Sequence, residues 1–376
     1  MYFYKNLFND KPIDTDLYSR QIGTFGMDIM GKLLKLKVLI IGIRGLGVEI
    51  AKNIIISGSH TVDIHDPSLV QINDLGSNFY LSEEDINKKN RDEACLTNLS
   101  QLNPYVKVGI LKINSKKGTK EYLEEFCENL KNYNIVVFTE IQSKDFLIKI
   151  NDECRNKNIN FIYSFCFGLT GGIFTDFGPN HIIIDPDGKE SKSYYINSIT
   201  KDGLVTIDNI QNTEKLDLGD GDFVKFKNIE GMIELNNKEF KIKEVKDTVS
   251  FIIEEDLSKF GDYIKGGIVC EIKKPKIIKY ENYRKRSEIM WDSNSKLYCC
   301  DFSKSGSQLL LFITFTEIQN YYSTHNYKLP DLNNIDQAKE IVEKVRKKYE
   351  EIKDKKDEYY SDTYLIDFDE KIVFSF

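Results

Sequence analysis

KVLIIGIRGLGVEIAKNIIISGSHTVDIHD, residues 37–66, reads as a strand, a glycine turn, a helix and a second strand. Val38 to Ile41 form a short apolar run flanked by turn chemistry, the pattern of a central parallel strand buried on both faces. The turn that follows is Gly42-Ile43-Arg44-Gly45-Leu46-Gly47. In a dinucleotide fingerprint the first glycine makes the tight turn, the second admits the pyrophosphate to the backbone, and the third lets helix pack on strand. Here the first and third roles are kept, but Arg44 stands at the second, where a long charged side chain takes the space a phosphate needs. Asp66 lies 19 residues beyond Gly47, near the offset at which a carboxylate takes ribose hydroxyls. The stretch predicts a nucleotide scaffold that kept its architecture and lost its ligand.

Outward from this unit the α/β alternation continues. Ile22, Phe25, Met27, Ile29, Met30 and Leu33 predict a helix ahead of the first strand, broken at Gly23 or Gly26. Ser82 with Glu83, Glu84 and Asp85 reads as a capped helix start. Strands are expected at 106–113, 135–139 and 161–164, and helices at 120–130 and 144–156, giving a Rossmann-like, doubly wound, mostly parallel sheet over 1–177. The period then changes. Short alternating runs such as Phe223-Val-Lys-Phe226 and Phe240-Lys-Ile242, punctuated by Asp187-Gly188, Asp202-Gly203, Gly219-Asp-Gly221 and Asn236-Asn237, predict an inserted antiparallel β module over 178–267, a small barrel. A return segment, 268–280, leads to a helical bundle over 281–376. In it Leu309–Ile318 reads as a buried helix, and Ile335, Ala338, Ile341, Val342, Val345, Tyr349 and Ile352 step as one apolar face. A last helix is expected near Asp367 and the chain stops at Phe376, within its apolar half, so the bundle reads as truncated at its last helix.

The net charge of −7, with charged residues of both signs making up 30%, argues against a general nucleic-acid binder. No apolar run approaches the roughly 18 to 20 residues of a membrane helix, and the N-terminus lacks a secretory pattern. Seven scattered cysteines (95, 127, 154, 166, 270, 299 and 300) form no C-x-x-C and read as reduced thiols of an intracellular protein. The four histidines (60, 65, 181 and 325) pair with no nucleophile, and only His65, beside Asp66, stands at a strand end where sites form. No metal set is visible. From the residues alone Arg20 is a solvated helix arginine.

Leu17-Tyr-Ser-Arg-Gln21, Gly42 to Asn53, His65-Asp66, Asp74-Leu75 and Phe79-Tyr-Leu81 together resemble the N-terminal part of the eukaryotic ubiquitin-activating enzymes. The resemblance continues through Phe174 to Gly178, Gly221-Asp-Phe-Val224, Glu230-Gly-Met232, Tyr263 to Ile268, Lys274-Pro-Lys276 and Asp301 to Lys304, nearly the whole chain. It implies an inactive, ThiF-like adenylation repeat, the first half of the catalytic-cysteine region inserted into it, and a four-helix bundle.

In that family an active repeat packs on the inactive one, adenylates the ubiquitin C-terminus with ATP and Mg, and hands ubiquitin to a cysteine and then to conjugating enzymes, in cytoplasm and nucleus. By resemblance this chain binds no cofactor in cis. Its turn (Gly42, Arg44, Gly45, Gly47, Asp66) is vestigial, and Asn73 to Asn78 lacks the arginine that grips nucleotide in active repeats. Its cysteines include no catalytic one. Arg20, within the Tyr-Ser-Arg-Gln motif, then becomes a charge directed at the ATP phosphates of the active repeat, and the β module a ubiquitin-facing surface. Two alternatives stand beside this: a pseudoenzyme subunit of a related heterodimer that activates a ubiquitin-like protein, and a nicotinamide-dependent oxidoreductase, against which Arg44 counts.

Overall fold

The computed structural model describes residues 14–167, 170–184, 188–208, 215–289, 305–331 and 334–353. They fall into two compact units, Met1–Pro179 with Tyr280–Phe376, and Asn180–Lys279. The expected last helix near Asp367, the Cys299-Cys300 pair, Asp301 to Lys304 and Asp187 lie outside the described residues.

In the first unit, two short helices, α1 (Ser19–Phe25) and α2 (Met27–Leu33), break at Gly26, which holds φ +80°. The chain then runs β1 (Lys37–Ile41), α3 (Gly45–Ile56), β2 (Thr61–His65), α4 (Arg91–Ser100), β3 (Lys107–Ile110), α5 (Lys120–Leu130), β4 (Ile135–Phe138), α6 (Lys144–Asn156), β5 (Asn160–Phe167) and β6 (Thr170–Asp176). The strand order is β3-β2-β1-β4-β5-β6, parallel except for β6, so the order reverses between β1 and β4. β1 shows why its run is apolar throughout. Val38 and Ile40 pack with Val48, Ala51 and Ile55 of α3 on one face, while Leu39 and Ile41 join Phe126, Phe138 and Ile150 on the other.

The helix expected from Ser82 is absent. Asp85 accepts from both the Ser82 N–H and its Oγ and pairs with Lys89, which closes a single 3₁₀ turn at Glu83–Asp85, and Ile86 turns extended; α4 starts only at Arg91. Beyond Tyr280 come α7 (Tyr283–Ile289), α8 (Ser305–Thr324) and α9 (Ile335–Lys353). Leu310, Ile313 and Ile318 of α8 and Ala338, Ile341, Val345 and Tyr349 of α9 belong to the same core as Phe138 and Phe161 of the sheet. The periodicity of both helices is therefore spent on the sheet's own core. Among the described residues no helix is long and apolar enough to cross a membrane.

The second unit contains β7 (His181–Ile183), β8 (Ser193–Ile199), β9 (Leu204–Ile207), β10 (Phe223–Lys227), β11 (Glu239–Val245), β12 (Ser250–Ile253), β13 (Ile268–Ile272) and β14 (Lys276–Ile278). Six of them close a barrel in the order β10-β11-β12-β9-β8-β13, around Phe226, Phe251, Val205 and Val269. The barrel therefore extends past the expected boundary at 267. β13 falls in what sequence assigned to the return segment, yet it pairs with both β10 and β8, and without it the ladder would keep two open edges.

Candidate functional site

The point where strand order reverses is the crevice in which open α/β sheets bind ligands, and the glycine turn lies there, between the C-terminal ends of β1 and β4. Gly42 holds φ +90°, and a Cβ on it would meet Thr139 Oγ1 at 2.8 Å and Glu140 Cγ at 2.9 Å. A Cβ on Gly47 would stand 1.8 Å from the Gly42 carbonyl oxygen, so only glycine lets α3 leave β1 this closely. A Cβ on Gly45 would stand 2.8 Å from the Ser77 Cβ. Arg44 is the N-cap residue of α3 and its side chain leans to Asp74, 3.8 Å away and half exposed. At that distance and exposure the pair contributes little.

Asp66 holds the centre. It is 1% exposed, and its Oδ2 accepts from the Ile43 N–H at 2.9 Å while Oδ1 accepts from the Ser68 N–H at 3.2 Å and from Arg91 at 3.4 Å. Arg91, 2% exposed, also donates through Nε to Asp74 Oδ2 at 2.6 Å, and Asp74 accepts from the Gln71 N–H. Arg44, Asp74, Arg91 and Asp66 thus form one ladder of alternating charge across the crevice. Glu140, at the end of β4, adds a second carboxylate beside Gly42, held by Lys117 at 3.1 Å and Gln142 at 2.7 Å. Burial, and then the nearby Glu140, push Asp66 above the usual carboxylate range. Glu140 sits low in spite of its burial, because Lys117 favours the charged form. Asp92, which accepts from the Asp66 N–H at 3.0 Å, is pushed up to about 6 by burial.

This arrangement does not fit a nucleotide. The Ile43 amide of the turn already has an acceptor, the carboxylate placed for ribose is bonded to that amide and to Arg91, and two carboxylates lie where phosphates would bring further negative charge. Among the described residues no three His, Cys, Asp or Glu groups are placed to hold a metal ion. His65 is buried between the Leu111 carbonyl and Tyr122 Oη, with burial lowering its pKa, and is part of the packing. The Cys95 thiol is pushed up to about 11 by burial, the opposite of an activated nucleophile.

Of the sequence-predicted residues, Gly42, Arg44, Gly45, Gly47 and Asp66 come together. Arg20 does not join them. Tyr18 packs on Gly58 and Gln21 donates to the Ser57 carbonyl, which ties α1 to the far end of α3. Twelve residues of helix, about 18 Å, separate that end from the turn. Arg20 is exposed and makes no ion pair among the described residues. Arg91, Asp74, Glu140 and Lys117 carried no predicted role in the crevice; the capping box at Asn90 and Glu93 marks the start of α4 but says nothing of where Arg91 points.

A family model described as ThiF family matches residues 18–248. The chain belongs to the ThiF family. The match spans both the sheet and most of the barrel, so this ThiF chain carries its β module within the family domain. It is 39% identical over 89% of its length to Ubiquitin-activating enzyme E1 2 of Arabidopsis thaliana. It is 38% identical over 88% of its length to Ubiquitin-activating enzyme E1 1 of Triticum aestivum, and 36% over 89% to Ubiquitin-like modifier-activating enzyme 1 of Homo sapiens. The chain spans about 30% of the length of each of these relatives.

Two outcomes follow from the ladder. Arg91→Ala leaves Asp66 and Asp74 buried without their cation and should cost about 3–5 kcal/mol in guanidinium unfolding. Asp92 binds its proton more tightly folded than unfolded, so between about pH 4 and pH 6 it makes stability fall as pH rises; Asp92→Asn should flatten that part of the stability–pH curve.

Proposed function

We propose that this chain is the non-catalytic N-terminal part of a ubiquitin-activating enzyme, a protein that adenylates the ubiquitin C-terminus with ATP and Mg, forms a cysteine thioester and passes ubiquitin to conjugating enzymes in cytoplasm and nucleus. The reading rests on the similarity to relatives so named and on one observation of the site: the Asp66 carboxylate is taken up by the Ile43 amide and Arg91, where a working repeat would keep both for ligand. The same observation counts against a nicotinamide-dependent oxidoreductase. In this proposal ATP and Mg act at a second, active repeat packed on this one, and the barrel contributes surface facing ubiquitin. The heterodimer-subunit alternative has less support, since the relatives named ubiquitin-activating enzymes are single chains of which this one spans about 30%.

Arg20 has the part of a charge supplied to the neighbouring site. Its neighbours Tyr18 and Gln21 are tied down, while its exposed guanidinium makes no ion pair among the described residues and lies at the end of α3 away from the turn. A planar cation held in that way suits phosphate oxygens as charge builds in adenylation. In the full-length protein Arg20→Ala should lower ubiquitin-dependent ATP–pyrophosphate exchange by about 100-fold with the fold intact by circular dichroism. An unchanged exchange rate removes the assignment.

A further inference from the structure

In the first unit the register of β5 and the edge strand β6 sets Phe165 opposite Gly172. A Cβ on Gly172 would stand 2.5 Å from Phe165 Cζ, so the bare glycine is what lets that ring lie across β6. Phe315 of α8 stacks on the same ring, with centroids 4.0 Å apart and planes 7° from parallel. Tyr283 of α7 meets Tyr163 at 85° and Phe174 at 71°. Stacked and edge-to-face contacts of this kind fix ring positions. These five rings and Phe312 wall a cavity of about 260 Å³. Its polar lining is turned to internal use, since the Gln319 amide donates to the Gln142 carbonyl at 3.0 Å and Thr316 Oγ1 to the Phe312 carbonyl at 2.9 Å. A space walled by rings holds water poorly and an apolar ligand well.

The charges of the lining indicate what that ligand carries. They are Lys144 and Arg286, and no Asp or Glu is among the described residues that line the cavity. Lys144 makes no ion pair among the described residues and opens α6, at the positive end of the helix dipole. Asp145, the acid of the same turn, lines a different cavity. Arg286 lies 3.6 Å from Glu281, a carboxylate that Lys285 holds more closely, at 2.5 Å. One acid therefore serves two cations there. Arg286 is exposed, as is Ile173 at 71%, which places the charge at the mouth and the rings inside.

We propose that this cavity binds a small aromatic acid, with one ring among the aromatic walls and a carboxylate, on a short chain, at Lys144 and Arg286. Burial of the ring supplies the binding, and the two cations select the sign of the charge. The walls come from β5, β6, α7 and α8, so an occupant ties two helices to the edge of the sheet and stabilises the folded chain. No member of the Asp66–Arg91 ladder lines the cavity. The site is separate from the crevice and does not depend on Arg20.

The test uses the full chain and para-fluorophenylpropionate, followed by fluorine NMR, with para-fluorophenylpropylamine as the probe of opposite charge. The expected result is saturable one-to-one binding of the acid with Kd below about 1 mM, a Tm that rises with its concentration, and no saturation by the amine over the same range. Lys144→Glu with Arg286→Glu should weaken the acid at least about ten-fold, and Thr316→Leu, which sets a larger side chain against the cavity, should abolish its binding. Thermal unfolding without ligand verifies the fold of both variants. Propionate, which has the charge and no ring, should not displace the acid. Absence of saturable binding, equal binding of acid and amine, or binding unchanged by the charge variant overturns the proposal. Displacement by propionate, or binding that Thr316→Leu leaves intact, overturns it as well, since the acid then sits on outer charges and not among the rings.

Discussion

One hydrogen bond, from the Ile43 N–H to the Asp66 carboxylate at 2.9 Å, decides what the glycine turn is for in this chain. In a nucleotide site the turn amides face a phosphate and the acid at the end of the second strand faces a ribose. Here the two are closed on each other, and a buried carboxylate so placed needs a cation. Arg91 supplies it, Asp74 balances Arg91, and Arg44 leans on Asp74. Each member explains the next, and Glu140 with Lys117 closes the other side of the crevice. The crevice thus holds three cations and three carboxylates engaged with one another.

This ladder ties the parts of the crevice together. It joins the turn, the end of β2, the loop through Asp74 and the start of α4. Asn78 adds to it, donating to the Ile43 carbonyl at 2.9 Å, so both polar groups of the Ile43 backbone are satisfied by side chains. The scaffold that results is ThiF in architecture, with its crevice turned inward and Arg20 left outward at the other end of α3. Such a division of labour suits a repeat that supports a neighbour, which is the function proposed.

The elements legible in the sequence were those whose signal is local. The β1–turn–α3 unit follows from an apolar run and three glycines, two of which are irreplaceable for reasons the contacts make plain at Gly42 and Gly47. α5, α6 and α9 follow from their spacing, and the barrel from alternation between turn signals. What was not legible is long-range. Arg91 and Glu140 meet Asp66 and Lys117 only after folding, and nothing in their neighbourhoods distinguishes them from surface charges. The Ser82 turn shows a local signal misread, since a capping pattern followed by acids also describes a 3₁₀ turn closed by Asp85. β13 was missed because the need to close a barrel is a property of the whole sheet, not of Ile268 to Ile272.

The central claim, that the crevice of this repeat is closed by its own charges, is tested most directly by isothermal titration of Mg-ATP into the chain at neutral pH. The account predicts no saturable heat up to about 1 mM nucleotide. A one-to-one isotherm that saturates within that range would contradict it.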